Sequence, residues 1–441
     1  MFSNKDLKKM ILPLVGEQIL LILVGMSDTI MVSYAGEAAV SGVSLTDMIN
    51  YLFSTVFAAI ATGGAVIVSQ YLGCRDSKRA RETSGQLYLT SGILSCGCTV
   101  ICLLFHRQIL HLLFGAIEED VMTAAAQYFL VTACSFPFLG IYNAGAALFR
   151  SMQRTKDTMY VSILMNVVNV VGNAVGIFIL HAGVMGVAVP TLLSRMTAAF
   201  AMTALAFQKQ NPVYVEWKNI FCRNADMMRR ILKIGVPNGI ENGLFALGRV
   251  LVTSIIALFG TTQIAANGVA NSIDGVAIIV VNSINLAIVT VTGQCVGARA
   301  YGEAKKYIRK LMSVSYVLTF LLGVAVCISL PLLRGFYDVS EDVWNLSCIL
   351  IFLHNVMAAL LHPTSFNLSN ALRASGDVKF TMYAGILSML LLRLGVAAVC
   401  GIVFNMGIFG VWAAMGMDWL GRSVAFVLRY KSGKWKDYRA I

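Results

Sequence analysis

The chain has 441 residues, of which 58% are hydrophobic and 13% charged, with mean hydropathy +0.75. A soluble domain carries about 25% charged residues, so the composition excludes a soluble globular protein. The net charge of +12 does not point to nucleic acid either, because the basic residues sit in short connections between apolar stretches, where they face anionic lipid.

Twelve apolar stretches of roughly 20 residues or more, enough to cross a bilayer, follow one another at 11–33, 47–71, 84–105, 122–147, 158–180, 184–207, 231–258, 266–295, 308–332, 343–371, 380–403 and 408–429. Without water at that depth, each is predicted to be a helix that satisfies its own backbone. The predicted class is therefore all-α and polytopic.

Span 1 (11–33) follows Lys5, Lys8 and Lys9 as the core of a signal peptide would, but it is too long, carries Glu17 and Asp28, and has a matched copy at 231–258. Pro13 is predicted to kink it. Asp28 stands about 17 residues in, roughly 26 Å from the inner end at 1.5 Å per residue. A carboxylate at that depth marks a functional site by default. Span 2 opens with Asp47 and Asn50 near its outer end. Span 5 carries Asn166, Asn169 and Asn173, the last two spaced to share a helix face. Thr191 follows Pro190 in span 6. A carboxylate with amide and hydroxyl oxygens suits Na⁺, and the carboxylate alone suits H⁺. Asp28, Asn169, Asn173 and Thr191 are the predicted cation-coupling set, and the Na⁺ ligands if the ion is Na⁺. Their bland alternative is polar side chains that join helices.

The second six spans copy the first. At a shift of 224 residues, Pro13, Glu17, Gly36, Gln70, Gly73 and Arg75 fall on Pro237, Glu241, Gly260, Gln294, Gly297 and Arg299. At 223, Arg150 meets Arg373 and Thr158-Met159-Tyr160 meets Thr381-Met382-Tyr383. Six spans is an even number, so two lobes of like orientation are expected, related by a pseudo-two-fold axis along the membrane normal. The expected organisation is an N-lobe over 1–207, a charged inner linker over 208–230, and a C-lobe over 231–441 that ends in a basic tail, Arg429 to Arg439. With both termini inside, 28 of the 34 Lys and Arg residues lie in inner segments, a strong positive-inside bias.

Duplicated features are expected to serve the scaffold, and unshared polar residues to serve function. Asp28 meets Val252, Asn169 meets Leu392 and Asn173 meets Val396. Glu17 and Glu241, each four residues past a proline, read as paired gate or interlobe elements, with a cation or drug site as the alternative. Arg249 is expected to neutralise a carboxylate on a neighbouring helix. Asp47 overlies Asn271 and Asn50 overlies Asp274; Asp47 and Asp274 are expected to line the outer mouth of an interlobe cleft or to cap helix ends. Met26, Met31, Phe53, Phe57 and Phe245 would supply an adaptable cavity or plain packing. The ten cysteines and five histidines form no metal-ligand or disulfide pattern.

Leu12-Pro13 with Glu17-Gln18, Ser27-Asp28-Thr29-Ile30-Met31-Val32, Ser69-Gln70-Tyr71-Leu72-Gly73, Gly186-Val187-Ala188 and the inner turn Arg373-Ala374-Ser375-Gly376-Asp377, in this order on twelve spans, resemble the multidrug and toxic compound extrusion (MATE) family, closest to its NorM-like bacterial branch. The resemblance implies secondary active efflux by rocking of two six-helix lobes, with Na⁺ or H⁺ flowing in. Asp28 then matches the family's first-helix Asp, Asn169 its fifth-helix Asn and Thr191 its sixth-helix Thr. Asn173 stands where another branch has a second Asp, which leans the coupling toward Na⁺. NorM-like members carry a seventh-helix Glu farther past the proline than Glu241, so that role is not carried over.

The expected function is export of amphipathic organic cations, drugs or dyes, in exchange for Na⁺ or H⁺. The chain is expected to act as a monomer in the cytoplasmic membrane, with no cofactor beyond the coupling ion. The alternative is a flippase for lipid-linked saccharides, which calls for a basic cavity. A membrane enzyme is not expected, since no nucleophile–base or metal-ligand spacing converges, and a channel is disfavoured by the unequal halves.

Overall fold

A computed structural model describes residues 2–115, 118–337, 339–438 and 440–441; the side chains of Met26, Thr29 and Phe336 lie outside the described residues, as does Arg439. Every element is helical. The chain order is α1 (Asn4–Ser33), α2 (Glu37–Gly73), α3 (Ser77–Phe114), α4 (Glu119–Cys134), α5 (Phe136–Ser151), α6 (Thr155–Ala174) and α7 (Met185–Ala206). A short α8 (Trp217–Phe221) precedes α9 (Ala225–Ala257), α10 (Thr261–Ala277), α11 (Ile279–Gly297), α12 (Tyr301–Leu333) and α13 (Glu341–Ser375). Then come α14 (Val378–Leu387), α15 (Val396–Ala398), set between π-helical stretches Ser388–Gly395 and Val399–Val403, and α16 (Ile408–Lys431).

These helices make twelve membrane spans in two sets of six. Ten are long and apolar enough to cross singly, and the pair α4–α5, bent by 47° at Ser135, is an eleventh. The twelfth, α16, is less apolar because it carries Asp418 and Arg422. Two spans expected to be continuous are broken: 122–147 at Ser135, and 266–295 at Ile278, between α10 and α11. Conversely, α1 and α9 run through Pro13 and Pro237 as single helices. Ser3 caps α1: its hydroxyl accepts from the Asp6 N–H, while the Asp6 carboxylate accepts from the Ser3 N–H at 2.9 Å, satisfying two otherwise orphaned donors.

The repeat extends to the turns. Gly36 and Gly260, which precede α2 and α10, have φ of 104° and 99°, a conformation glycine adopts without a Cβ clash. Arg75 and Arg299 are both left-handed (φ 61° and 56°). Each is followed by an N–H that reaches back five residues, Asp76 to the Tyr71 carbonyl at 3.0 Å and Ala300 to that of Cys295 at 2.9 Å, the helix-ending bond that the left-handed residue makes possible. Gln153 and Gly376 repeat the device, with Arg154 N–H on the Phe149 carbonyl and Asp377 N–H on that of Leu372.

The chain divides into two compact units, Ser3–Gly239 and Ile240–Ile441, the latter with Phe2. Phe2 donates its N–H to the Tyr307 hydroxyl at 2.8 Å. The segment expected to link the lobes, 208–230, lies wholly in the first unit. The backbone and Cβ of Asn219 on α8 occupy the place a Cβ on Gly85 would need, and Gln86 donates to the Asn219 and Cys222 carbonyls at 2.6 and 3.0 Å. The start of α9 closes on α2 in the same way: a Cβ on Gly63 would stand 2.6 Å from the Ile231 carbonyl. The unit boundary therefore falls inside α9.

Candidate functional site

In the first unit, small residues bring α6 against α7. A Cβ on Gly172 would meet Pro190 at 2.6 Å, and one on Gly176 would meet the Gly186 carbonyl at 2.3 Å. Without them the backbones could not approach so closely. The approach brings together the four residues singled out in the sequence. Asn173 donates from Nδ2 to Asp28 Oδ1 at 2.8 Å and stands 3.4 Å from Asn169 Oδ1. Asn169 Nδ2 donates to Thr191 Oγ1 at 3.3 Å, and the Thr191 hydroxyl donates to the Val187 carbonyl at 2.9 Å. The result is a chain of polar groups from α1 through α6 to α7. Asn169, Asn173 and Thr191 are buried, Asp28 partly so.

The chain is incompletely satisfied. The buried Oδ1 of Asn173 has no hydrogen-bond partner, and neither has the buried Nδ2 of Asn166. A buried polar atom left unpaired costs about 1–3 kcal/mol. Asp28, Asn169, Asn173 and Thr191 offer oxygen donors of the kind that hold hard cations. Among the described residues no three His, Cys, Asp or Glu side chains gather as a metal site. Asp47 and Arg195 are the charged groups whose fields act on Asp28.

The duplicated glutamates sit elsewhere. Glu17 accepts from Arg150 at 2.5 Å, with the Thr158 hydroxyl at 3.3 Å from its other oxygen. Glu241 accepts from Arg373 at 2.6 Å. Both partners are themselves a repeat pair. Each glutamate is thus bound by an arginine of its own unit, fastening α1 to α5 in one and α9 to α13 in the other. Each carboxylate is thus paired within its own unit. Asp47 is exposed and accepts from Asn50 at 3.3 Å. Asp274 is buried, with His354 Nδ1 at 3.2 Å and Asn355 Nδ2 at 3.4 Å from Oδ1. Arg249 is exposed and makes no ion pair among the described residues, so it neutralises no carboxylate on a neighbouring helix. Of the cavity candidates, Phe53 and Phe57 pack on Phe136, and Phe245 lies under Arg393 and Arg422; Met31 is buried and Met26 falls on an undescribed side chain.

Sequence reasoning missed the interior of the second unit. Asp418 on α16 is fully buried, binds Arg422 at 2.9 Å, receives the Ser388 hydroxyl at 2.6 Å, and faces Arg393 at 3.6 Å. His362 stacks on Phe366 with centroids 4.3 Å apart and meets Trp419 edge-on. The i,i+4 spacing of Asp418 and Arg422 was the available signal for the first group. Nothing in the spacing of His354 announces its contact with Asp274, since the two residues lie on different helices.

Comparisons with known proteins follow the internal repeat. The MatE family model matches residues 13–175 and again 237–399. An uncharacterized transporter, YisQ of Bacillus subtilis (strain 168), is 29% identical over 437 residues, covering 96% of this chain and 93% of its own. A probable multidrug resistance protein NorM of Thermotoga maritima is 26% identical over 452 residues, with 99% of this chain and 94% of its own covered. Among solved structures, a multidrug resistance MATE family transporter of the MOP superfamily in an outward-facing conformation superposes with a TM-score of 0.91 over 98% of this chain and 96% of its own, at 19% identity. One family model matched twice, a repeat apart, on twelve helices in two units leaves a single assignment: the chain belongs to the MatE family of membrane transporters.

Proposed function

We propose that the protein is a multidrug efflux transporter that exports amphipathic organic cations by alternating access, driven by Na⁺ entering through Asp28, Asn169, Asn173 and Thr191. It works as a monomer in the cytoplasmic membrane with both termini inside. Relatives named as multidrug resistance proteins support the substrate class. The positive-inside count supports the orientation. The observation that carries the coupling assignment is the Asn173 amide, whose Nδ2 donates to Asp28 Oδ1 at 2.8 Å and whose buried Oδ1 has no hydrogen-bond partner. A proton would neutralise Asp28 and leave that oxygen unpaired; Na⁺ answers both.

The mechanism follows from the cost of a charged carboxylate at this depth, a few kcal/mol. With the site empty, the Asp28 carboxylate accepts from the Asn173 amide and needs water. Once a cation neutralises it, the polar chain from α1 to α7 can close and its helices repack. Repacking moves the equilibrium only to the extent that the ion binds the two states unequally. Glu17–Arg150 and Glu241–Arg373 hold each unit together during the change. The test is dye efflux from reconstituted vesicles with Na⁺ and H⁺ gradients imposed separately. Efflux that follows the Na⁺ gradient at constant pH is expected; efflux that follows only the H⁺ gradient contradicts the Na⁺ assignment.

A further inference from the structure

The interior of the second unit holds more guanidinium than carboxylate. Arg393 and Arg422 share Asp418, and Arg249 has no acidic partner among the described residues. Arg249 on α9 and Arg393 line one cavity of about 60 Å³, together with Thr253, Asn267, Asn271 and Trp412. No acidic side chain lines it. The Arg393 Nε is buried and makes no hydrogen bond, while Arg249, Thr253 and Asn271 are exposed. Trp412 is held in place by its Nε1–H on Asn267 Oδ1 at 3.2 Å. The pocket has no copy in the first unit, where Gly25, Val170 and Ala188 stand at the positions of Arg249, Arg393 and Trp412.

Arg249 and Arg393 meet at one small cavity with no acid in its lining; Asp418, 3.6 Å from Arg393, is shared with Arg422, so one carboxylate answers three guanidiniums whose mutual repulsion is strong at reduced dielectric. An arginine fork matches a carboxylate through two parallel N–H···O bonds, which a lysine cannot reproduce. The cavity has room for a carboxylate group. We propose that it is an anion subsite that receives the carboxylate of an amphipathic solute, with Arg249 at the mouth and Arg393 within. Solutes that carry both an amine and an acid then join the plain organic cations as ligands. The inference deepens the efflux reading in substrate class, and only the transport of what binds rests on that reading; binding needs no ion gradient.

The experiment uses a matched dye pair on the purified full-length protein: rhodamine 110, which has a free carboxylate, and rhodamine 123, its methyl ester. Fluorescence anisotropy gives both affinities without a gradient, so failure of the coupling assignment and failure of this one are separable. Wild-type protein is expected to prefer rhodamine 110. Arg249→Gln is expected to lower the ratio of the two affinities at least tenfold, and Arg249→Lys to lower it less. Benzoate is expected to displace rhodamine 110 from the wild type where benzamide does not, a measurement that stands if a variant does not fold. Wild-type protein that binds rhodamine 110 no more tightly than its ester, an unchanged ratio in Arg249→Gln, or equal competition by benzoate and benzamide would each overturn the proposal.

Discussion

Where the first unit carries Asp28, Asn169, Asn173 and Thr191, the second carries Val252, Leu392, Val396 and Met415. Where the second carries Arg249, Arg393, Asp418 and Arg422, the first has Gly25, Val170, Ser194 and Ala198. The two interiors are thus different kinds of polar network on one backbone. In the first, the Asp28 carboxylate accepts from the Asn173 amide, with Asp47 and Arg195 acting on it through their fields and one amide oxygen left over. The second is a carboxylate surrounded by guanidiniums. What both units keep is the left-handed turn residues and the Glu–Arg fastener. Duplication has preserved the parts that hold six helices together and has let the charged interior diverge, which separates scaffold from function within one chain.

The comparison can be broken most forcefully at Asp418. Replacing it with Asn leaves Arg393 and Arg422 buried without a counter-charge, a loss of about 3–5 kcal/mol for a broken buried pair. Thermal unfolding in detergent should show this as the largest drop of any single change in either interior. The fasteners come next. Arg373→Gln and Arg150→Gln should each destabilise by about 3 kcal/mol, Arg373 more, because its pair is the less exposed (8% and 6% side-chain exposure against 17% and 5%). If either glutamate were a free gate, the variant would alter transport at unchanged stability. A transplant sharpens the contrast: Val252→Asp in an Asp28→Asn background should not restore ion-dependent efflux, because Leu392 and Val396 offer that acid no amides. At the small end, Asn173→Ala should weaken Na⁺ binding about tenfold, equivalent to about 1.4 kcal/mol. Thr191→Val removes the hydroxyl's two neutral hydrogen bonds, with Asn169 and the Val187 carbonyl, each worth about 1 kcal/mol, and should shift Na⁺ affinity by less than Asn173→Ala does.

The sequence carried most of this fold because a bilayer leaves few choices. Twelve apolar runs must be helices, and the repeat supplied an internal control that picked out Asp28, Asn169 and Asn173 as unshared polar residues. The breaks were harder to read. Pro137, just inside α5, marks the bend at Ser135, but Ile278 carries no such mark, and no local propensity explains why the α10–α11 span breaks where the corresponding α2 does not. The Glu17–Arg150 and Glu241–Arg373 pairs were within reach, since all four residues appear in the repeat alignment, yet partner choice depends on which helices touch. The Asp418 network and the Arg249 pocket were out of reach for the same reason. Arg249, Arg393 and Arg422 read only as charges inside spans until α9, the α14–α15 span and α16 are placed side by side.

The central claim is that Asp28 couples an ion to export, and Asp28→Asn in reconstituted vesicles tests it with two assays on one preparation. Gradient-driven efflux of a cationic dye should be lost, while equilibrium binding of the same dye to the purified variant stays within a few-fold of wild type. Efflux that still follows the imposed Na⁺ gradient at the wild-type rate in Asp28→Asn would contradict the account.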